Sequence, residues 1–334
     1  MKTNRPSPQP LLLRYDCDLI ISEVWQIMVT TAHSETMTAD KALAVYGKSF
    51  HWARRFLGQH MGMKAARLYQ FCRVLDDMAD GDIQHGPKRL GHIRKDLLTA
   101  GTASDPLLTH FQPFLTKQKF PTKVIVALID GLLSDQKPVR IKSDAELLSY
   151  AYHVAGTVGI LMCNVLDCDD EQALSHAIDL GIAMQLTNIA RDILEDAGIG
   201  RRYLPASWVG DLAPEQIVAL AKTPGDNAAL PVTNAVSRLL TLADDYYKSG
   251  IAGLSYLPLR AHISIAVAAL VYRQIGVQLV QQNYPWHGGR QSTSISTKIR
   301  CSLRAFGTLR LRFQKAAPHE SNLHDAIRGL PHVR

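Results

Sequence analysis

Apolar residues recur at spacings of three and four along most of the chain between residues 41 and 282. Such spacing is typical of helices that bury one face, whereas the alternation expected of half-buried strands is scarce. Glycine and proline interrupt the pattern at residues 81–87, 101–106, 198–205 and 223–231. The segments between these breaks are long and rich in Ala, Leu and Met. The sequence therefore predicts an all-α fold of roughly ten or more helices.

The chain of 334 residues predicts one large domain, because no Ser/Gly-rich or charged linker divides it between residues 40 and 317. Its 46% of hydrophobic and 20% of charged residues are typical of a globular protein with a sizeable core. We expect a helical domain at residues 36–317. A partly flexible extension at residues 1–35 would precede it, and a flexible tail at residues 318–334 would follow.

The cysteines favour a reducing cytoplasm. They number five, lie scattered along the chain and form no Cys-x-x-Cys pair, which argues against a disulfide framework or a zinc site. No uninterrupted apolar run reaches the roughly 18 residues of a membrane span. We therefore expect neither a signal peptide nor a transmembrane helix.

The net charge of +7 is concentrated near the C-terminus, where residues 290–315 contain seven basic residues and no acidic one. Apolar residues recur there at helical spacing, which predicts a basic amphipathic helix. Its apolar members are Ile299, Leu303, Phe306, Leu309 and Phe313. We expect this stripe to pack on the core. Attachment to the inner face of the membrane is the alternative.

Two carboxylate clusters, at residues 76–80 and 192–196, stand in otherwise apolar helical segments. In each cluster two aspartates are four residues apart and share one helix face. The oxygen donors on these faces are Asp76, Asp80, Gln185, Asn188, Asp192 and Asp196. Like charges at this spacing cost an isolated helix roughly 0.2–0.5 kcal/mol, and more when buried, so they require a compensating cation. Oxygen ligands suit Mg²⁺, and two facing carboxylate helices would bind a metal-bridged diphosphate.

Basic side chains accompany both clusters. Arg73 precedes the first by one turn, and Arg201 and Arg202 follow the second. An isolated arginine of this kind most often makes an ordinary salt bridge, but beside carboxylate helices it suits diphosphate oxygens. Gly156 and Gly159 interrupt another helical segment at a cost of roughly 2 kcal/mol relative to alanine. Close helix packing and room for a ligand chain would both explain these glycines.

These motifs resemble the head-to-head prenyl synthases, the family of squalene, dehydrosqualene and phytoene synthases. The resemblance covers, in order, residues 47–50, 69–80, 150–159, 185–196, 200–205 and 271–276. Residues 206–208 and 290–293 are similar to the bacterial phytoene-forming branch. The resemblance implies an all-α isoprenoid synthase fold, a single helical domain with a central cavity. It also implies Mg²⁺, with Mn²⁺ as a substitute, binding two prenyl diphosphates.

By position, the resemblance assigns site residues. The implied metal ligands are Asp76, Asp80, Asn188, Asp192 and Asp196, and the four aspartates count as catalytic. The implied diphosphate-binding residues are Lys48, Ser49, Tyr69, Arg73, Gln185, Arg191, Arg201 and Tyr272. Asp77 and Arg273 match less closely, and Tyr150 competes with the released diphosphate for the role of proton acceptor. Leu194 and Ala79 depart from the family pattern without removing a ligand.

The reaction implied is the condensation of two geranylgeranyl diphosphates, through prephytoene diphosphate, to phytoene, the first committed step of carotenoid biosynthesis. The alternative is a fifteen-carbon substrate that gives dehydrosqualene or, with NADPH, squalene. No dinucleotide fingerprint occurs, so we expect no NADPH. A non-catalytic membrane or nucleic-acid binding protein would leave both aspartate faces unexplained, and we expect no nucleic-acid partner. The sequence does not indicate an oligomeric state.

Overall fold

The computed structural model describes residues 37–99, 104–168, 170–314, 316 and 318–333. These residues form an all-α fold in which no strand occurs, and a single parallel bridge joins Arg140 to Arg202. The predicted fold class is confirmed. The expected N-terminal extension lies outside the described residues.

Fourteen α-helices follow one another along the described part of the chain. They are α1 (Ala39–Tyr46), α2 (Lys48–Arg54), α3 (Gly58–Asp80), α4 (Gly86–Thr99), α5 (Pro106–Lys117), α6 (Thr122–Ser134), α7 (Asp144–Ala151), α8 (Thr157–Val165), α9 (Glu171–Gly198), α10 (Ala206–Val209), α11 (Pro214–Leu220), α12 (Leu230–Ala252), α13 (Leu259–Gln281) and α14 (Ile295–Phe306). A π turn covers Tyr152–Gly156, and 3₁₀ turns cover Asn227–Ala229, Gly253–Tyr256, Gly307–Phe313 and Ser321–Ile327.

Helix ends coincide with local capping signals in the sequence. Asp105, Ser143 and Asp170 each accept a backbone N–H bond at the start of α5, α7 and α9. Gly81 ends α3 with a φ of 84°, a left-handed conformation that glycine adopts without strain. The predicted break that begins at Gly81 is therefore a helix end fixed by one residue.

The two carboxylate helices, α3 and α9, lie at the centre of the bundle. Helix α9 packs along α12, α8 and α13, while α3 packs against α1, α4, α8 and α6. Leu68 and Phe71 of α3, and Ile182 and Leu186 of α9, are fully buried. Each such side chain stabilises the fold by roughly 1.5–3 kcal/mol through burial. This packing fixes the direction in which the aspartate faces point.

Helices α8 and α9 cross at glycine contacts. A Cβ on Gly159 would lie 2.2 Å from the carbonyl oxygen of Ala177, and one on Gly181 would lie 2.3 Å from that of Ala155. Neither position accepts a methyl group unless the helices move apart. Gly159, Gly181 and Ala155 also line the central cavity. The glycines thus serve close packing and cavity shape together.

The C-terminal segment, residues 318–333, packs on the core where the sequence predicted a flexible tail. His324 is 1% exposed, and its Nε2 lies 2.9 Å from Asp179 Oδ1 of α9. His319 Nε2 lies 2.8 Å from Asp179 Oδ2, and Ser249 of α12 donates to the same oxygen at 2.5 Å. The buried Asp179 carboxylate therefore anchors the segment through two hydrogen bonds, and Ser249 of α12 donates a third.

Helix α14 presents its apolar stripe to solvent, so the prediction that this stripe packs on the core was wrong. Leu303 is 68% exposed and Ile299 is 49% exposed. Its buried residues are small or polar, namely Thr297, Cys301, Ser302 and Ala305. They let α14 rest closely on α13. The helix ends at Phe306, and the Gly307–Phe313 turn continues the segment.

Among the described residues, α13 is the one helix that is long and apolar enough to cross a membrane. Within the fold, 56% of its most apolar 18-residue stretch is buried. The helix also lines the central cavity through Ile265, Ala268 and Tyr272. Its apolar character is thus that of a core helix.

Candidate active site

A cavity of about 410 Å³ lies at the centre of the bundle. Its wall is mostly apolar and comes mainly from α2, α3, α6, α8, α9 and α13, with single residues from α1 and α12. Polar side chains line it toward the C-terminal ends of α3 and α9, namely Tyr69, Arg73, Asp76, Gln185 and Asn188. His176 marks the other end of the α9 wall, with its ring centroid 5.4 Å from that of His319 in the C-terminal segment. The cavity therefore has a polar end and a long apolar end.

The first aspartate cluster is organised by Arg73. Its Nη1 donates to Asp76 Oδ2 at 3.1 Å, its Nη2 pairs with Asp77, and its guanidinium lies over the Tyr46 ring, 4.8 Å from the centroid. Asp76 lines the cavity, whereas Asp77 is 2% exposed and does not. Asp77 therefore holds Arg73 in place, and Asp76 faces the cavity.

The second cluster contains ion pairs and one buried oxygen that accepts no hydrogen bond from the described part of the chain. Arg191 contacts Asp192 through two hydrogen bonds of 2.7 and 2.5 Å, and Arg290 Nε lies 3.7 Å from Asp192 Oδ1. Asn188 donates to Gln185 Oε1 at 3.3 Å. Its own Oδ1 is buried and has no hydrogen-bond partner among the described residues. A buried amide oxygen without a donor is suited to a cation.

A loop after α9 connects the two clusters. Arg201 Nη2 donates to Asp80 Oδ1 at 2.9 Å. A short parallel bridge to residues 139–141 holds this loop against the end of α6. Arg202, in contrast, is 1% exposed and donates to Asp211 at 2.8 Å. Of the two arginines singled out in the sequence, only Arg201 reaches a carboxylate cluster.

Asp135, at the end of α6, is a site carboxylate that the sequence did not reveal. The Tyr150 hydroxyl donates to its Oδ2 at 2.9 Å, and the Tyr203 ring stacks on Tyr150 with centroids 4.7 Å apart. Burial raises the pKa of Asp135 to about 6, against the opposing effects of the two tyrosines and Arg201. It belongs to no spaced motif, so only the folded chain brings it to the clusters.

Tyr150, the proton-acceptor candidate, does not line the cavity. Burial, followed by the charge of Asp135, raises the pKa of Tyr150 far above its ordinary value. At neutral pH the phenol therefore keeps its proton and donates a hydrogen bond to Asp135. Its role as a base stays a prediction. The hydrogen bond from its hydroxyl positions the Asp135 carboxylate.

The carboxylates of the site have too few cationic neighbours to balance their negative charge. Burial raises the pKa of Asp76 and of Asp196 to about 7, and neighbouring carboxylates act in the same direction. Arg73 opposes this at Asp76, as Arg201 does at Asp196. Asp76 lines the cavity. An added divalent cation would relieve this repulsion, and the oxygen donors present suit one.

Helix α2 places Lys48 and Ser49 at the edge of the polar end. Phe50 follows them and lies between Tyr69 and Tyr272, with ring centroids 6.3 and 5.0 Å away. Lys48 is exposed, and Ser49 is partly buried. The start of α2 therefore lies beside two tyrosines that line the cavity.

Arg290 contacts the second aspartate cluster, whereas Arg273, which the sequence matched to the diphosphate site, does not. Arg273 donates to Asp244 of α12 at 2.7 Å and does not line the cavity. Arg290 contacts Asp192 and lies close enough to Tyr272 to lower the pKa of its phenol, which burial raises. The sequence marked residues 290–293 by resemblance only and gave Arg290 no role.

A family model for squalene/phytoene synthases matches residues 43–299. The chain belongs to this family. The phytoene synthase of Pseudescherichia vulneris is 35% identical over 302 residues, which cover 85% of this chain and 96% of that protein. The 15-cis-phytoene synthase of Pantoea ananas is 34% identical over 298 residues, covering 84% of this chain and 94% of that protein. The resemblance drawn from the motifs is confirmed.

A crystal structure of a dehydrosqualene synthase in complex with a ligand shares the fold, with a TM-score of 0.71. The two are 22% identical, and the match covers 87% of this chain and 99% of the other. Membership of the squalene/phytoene synthase family makes the protein a prenyltransferase of the head-to-head type. The family depends on a divalent metal, which agrees with the charge deficit at the aspartates.

Proposed function

We propose that the protein condenses two geranylgeranyl diphosphates to phytoene through prephytoene diphosphate. The observation that carries the proposal is that Asp76 of α3 and Asn188 of α9 both line the polar end of one long apolar cavity. The cavity follows α9 from Ala173 to Asn188, about 22 Å at 1.5 Å per residue. That length suits an extended prenyl chain, and the relatives named phytoene synthase support the twenty-carbon substrate.

The proposed metal is Mg²⁺, for which Mn²⁺ would substitute. Its proposed ligands are Asp76, Asp80, Asn188, Asp192 and Asp196. Bound there, the metal would neutralise the diphosphate and make it a better leaving group. The buried Asn188 oxygen without a donor and the raised pKa values of Asp76 and Asp196 support this assignment.

Arginines would position the diphosphates. Arg73, Arg191 and Arg201 each hold a carboxylate of the clusters, so their guanidinium groups lie where diphosphate oxygens would enter. A guanidinium can bind a phosphate and a carboxylate at once because it presents five donors. The remaining proposed diphosphate contacts come from Lys48, Ser49, Tyr69, Gln185 and Tyr272.

The apolar wall would protect the carbocations that form once diphosphate leaves. Leu128, Val158 and Leu180 line the wall and offer no nucleophile. Water is kept from the allylic cation, which then reacts with the double bond of the second prenyl chain. We expect no NADPH in this reaction. We also propose that the enzyme is cytoplasmic and works at the inner face of the membrane, because its forty-carbon product is insoluble in water.

A product assay tests the proposal. Purified protein with Mg²⁺ is given geranylgeranyl and farnesyl diphosphate separately, with and without NADPH, and products are identified by mass. A forty-carbon triene without NADPH is the expected product. A thirty-carbon product alone would assign the enzyme to the dehydrosqualene or squalene branch. Asp192→Asn is the inactive control, and Arg273→Gln, which alters an arginine outside the cavity wall, is the matched active control.

A further inference from the structure

The outward face of α14 is a continuous apolar strip. At about 100° per residue, Ile295, Ile299, Leu303 and Phe306 fall on one side of the helix. Their exposed fractions are 68%, 49%, 68% and 47%. Phe313, which ends the following 3₁₀ turn, is 90% exposed. Large apolar side chains in a row on a surface mark a site of interaction.

Basic side chains flank this strip on both sides. On the helical projection, the exposed Arg300 and Arg304 lie along one edge, and the half-buried Lys298 lies on the other side, next to the buried Ser302 and Ala305. The chain contains no acidic residue between Asp245 and Glu320. An apolar strip between cationic edges matches a surface with negative headgroups over an apolar interior.

The strip is one helix layer away from the cavity. Helix α14 rests on α13, and its Ser302 accepts a hydrogen bond from Trp52 Nε1 of α2 at 3.0 Å. Helices α2 and α13 both line the cavity, through Phe50 and Ile265 among others. A ligand on the outward face of α14 would therefore lie against the outer side of the cavity wall.

We propose that this face of α14 is the surface by which the protein docks on an anionic phospholipid bilayer. The helix would lie in the plane of the headgroups, with Leu303 and Phe306 inserted and Arg300 and Arg304 on lipid phosphates. The assignment deepens the membrane contact proposed above, and it rests on the proposed function only for the water-insoluble product. The charge complementarity of the cationic edges favours a lipid surface over an apolar protein partner.

Vesicle co-sedimentation of the full chain tests the surface. Vesicles containing phosphatidylglycerol are compared with vesicles of phosphatidylcholine alone. We expect the protein to bind the anionic vesicles, and binding to weaken as salt is raised. The double variant Leu303→Glu/Phe306→Glu should bind at least about tenfold more weakly, because two apolar side chains no longer leave water. Arg300→Gln/Arg304→Gln should weaken binding to anionic vesicles and reduce its salt dependence.

The matched control is Leu98→Glu, which places the same charge on an exposed leucine of α4, 56% accessible. It should bind vesicles as the unchanged protein does. All variants should keep nearly the same thermal midpoint, because the replaced side chains are exposed. Equal vesicle binding by the Leu303→Glu/Phe306→Glu variant would overturn the proposal.

Other occupants of the strip give distinct results. A dimer that the Leu303→Glu/Phe306→Glu variant breaks, without vesicle binding by the unchanged protein, would show that a second copy covers the face. Vesicle binding that appears only after residues 1–36 are removed would show that the N-terminal segment covers it. Either result overturns the proposal. If the protein binds vesicles but forms no prenyl product when it is assayed in detergent, the docking surface is supported and the proposed reaction is refuted.

Discussion

Arg201 of the loop after α9 donates to Asp80, the last residue of α3, at 2.9 Å. This contact joins the two carboxylate clusters across the cavity end. The loop is itself held by backbone bonds to residues 139–141, so Arg201 is positioned before any substrate arrives. A preorganised guanidinium binds a diphosphate with little loss of side-chain entropy.

Arg201→Ala should lower kcat/KM by roughly 10- to 100-fold, the effect of losing one or two charged hydrogen bonds to diphosphate. The thermal midpoint should change little, because the Arg201–Asp80 pair is partly exposed. Arg202→Ala is the contrasting variant, since its buried guanidinium supports the loop and its loss should lower the midpoint. Steady-state kinetics and thermal unfolding separate the two, and equal kinetics for both variants would contradict the assignment of Arg201.

Asp76→Asn should stabilise the metal-free protein while removing activity. The substitution relieves repulsion among the carboxylates, yet it weakens a proposed metal ligand, and we expect turnover to fall by at least about 10²-fold. Thermal unfolding in EDTA and in Mg²⁺ checks this. The unchanged protein should gain stability from Mg²⁺, and the variant should gain less. An identical Mg²⁺ response in both would exclude Asp76 as a ligand.

The stability of the metal-free protein should depend on pH through Asp76 and Asp196. Their pKa values are raised to about 7 in the folded chain, above the ordinary value of an unfolded aspartate. Between roughly pH 4 and 7 the folded state thus holds more protons, so these groups make stability fall as pH rises. Unfolding in EDTA across this range should show a smaller fall for Asp76→Asn than for the unchanged protein. An equal fall in both would contradict the raised pKa of Asp76.

The anchor of the C-terminal segment predicts a stability effect far from the clusters. His324→Ala removes a buried ring and one of three donors to Asp179, and should lower the free energy of unfolding by roughly 2–4 kcal/mol. Arg328→Ala is the control in the same segment, because its pair with Asp325 is exposed and contributes little. Denaturant unfolding measures both. Equal stability of the two variants would show that the segment is not anchored by Asp179.

The crossing of α8 and α9 predicts a strong effect from a single methyl group. Gly159→Ala should destabilise the fold by roughly 1–3 kcal/mol or more, as overpacking does. Gly91→Ala is the matched control, because no atom lies within 4 Å of its added Cβ in α4. It should be neutral or stabilising by up to about 1 kcal/mol. Thermal unfolding of the two variants distinguishes them, and a harmless Gly159→Ala would contradict the close crossing.

Local signals explain what the sequence predicted well. Helical periodicity and residues such as Gly81 and Asp170 determine helix ends within a few neighbours, so the all-α fold could be foreseen. Spacing alone also put Asp76 with Asp80, and Asn188 with Asp192, on single helix faces. That α3 and α9 meet at one cavity followed from the chemistry of like charges, which requires a shared cation.

Tertiary contacts explain what the sequence did not predict. Asp135 reaches the site only because α6 ends beside the loop that carries Arg201. The direction of α14 was predicted wrongly because periodicity reveals a stripe but not which side meets the core. Close approach to α13 selected the small side of the helix, around Cys301 and Ala305, and left Leu303 outside.

The anchored C-terminal segment has a consequence for protein engineering. His319 meets the ring of His176 edge to face, and His176 lines the cavity, so the anchored segment supports the cavity wall from its outer side. A second pathway enzyme fused directly after this segment would disturb its contacts with Asp179 and His176. A long flexible spacer beyond the last anchored residues should keep catalysis and tethering independent of each other.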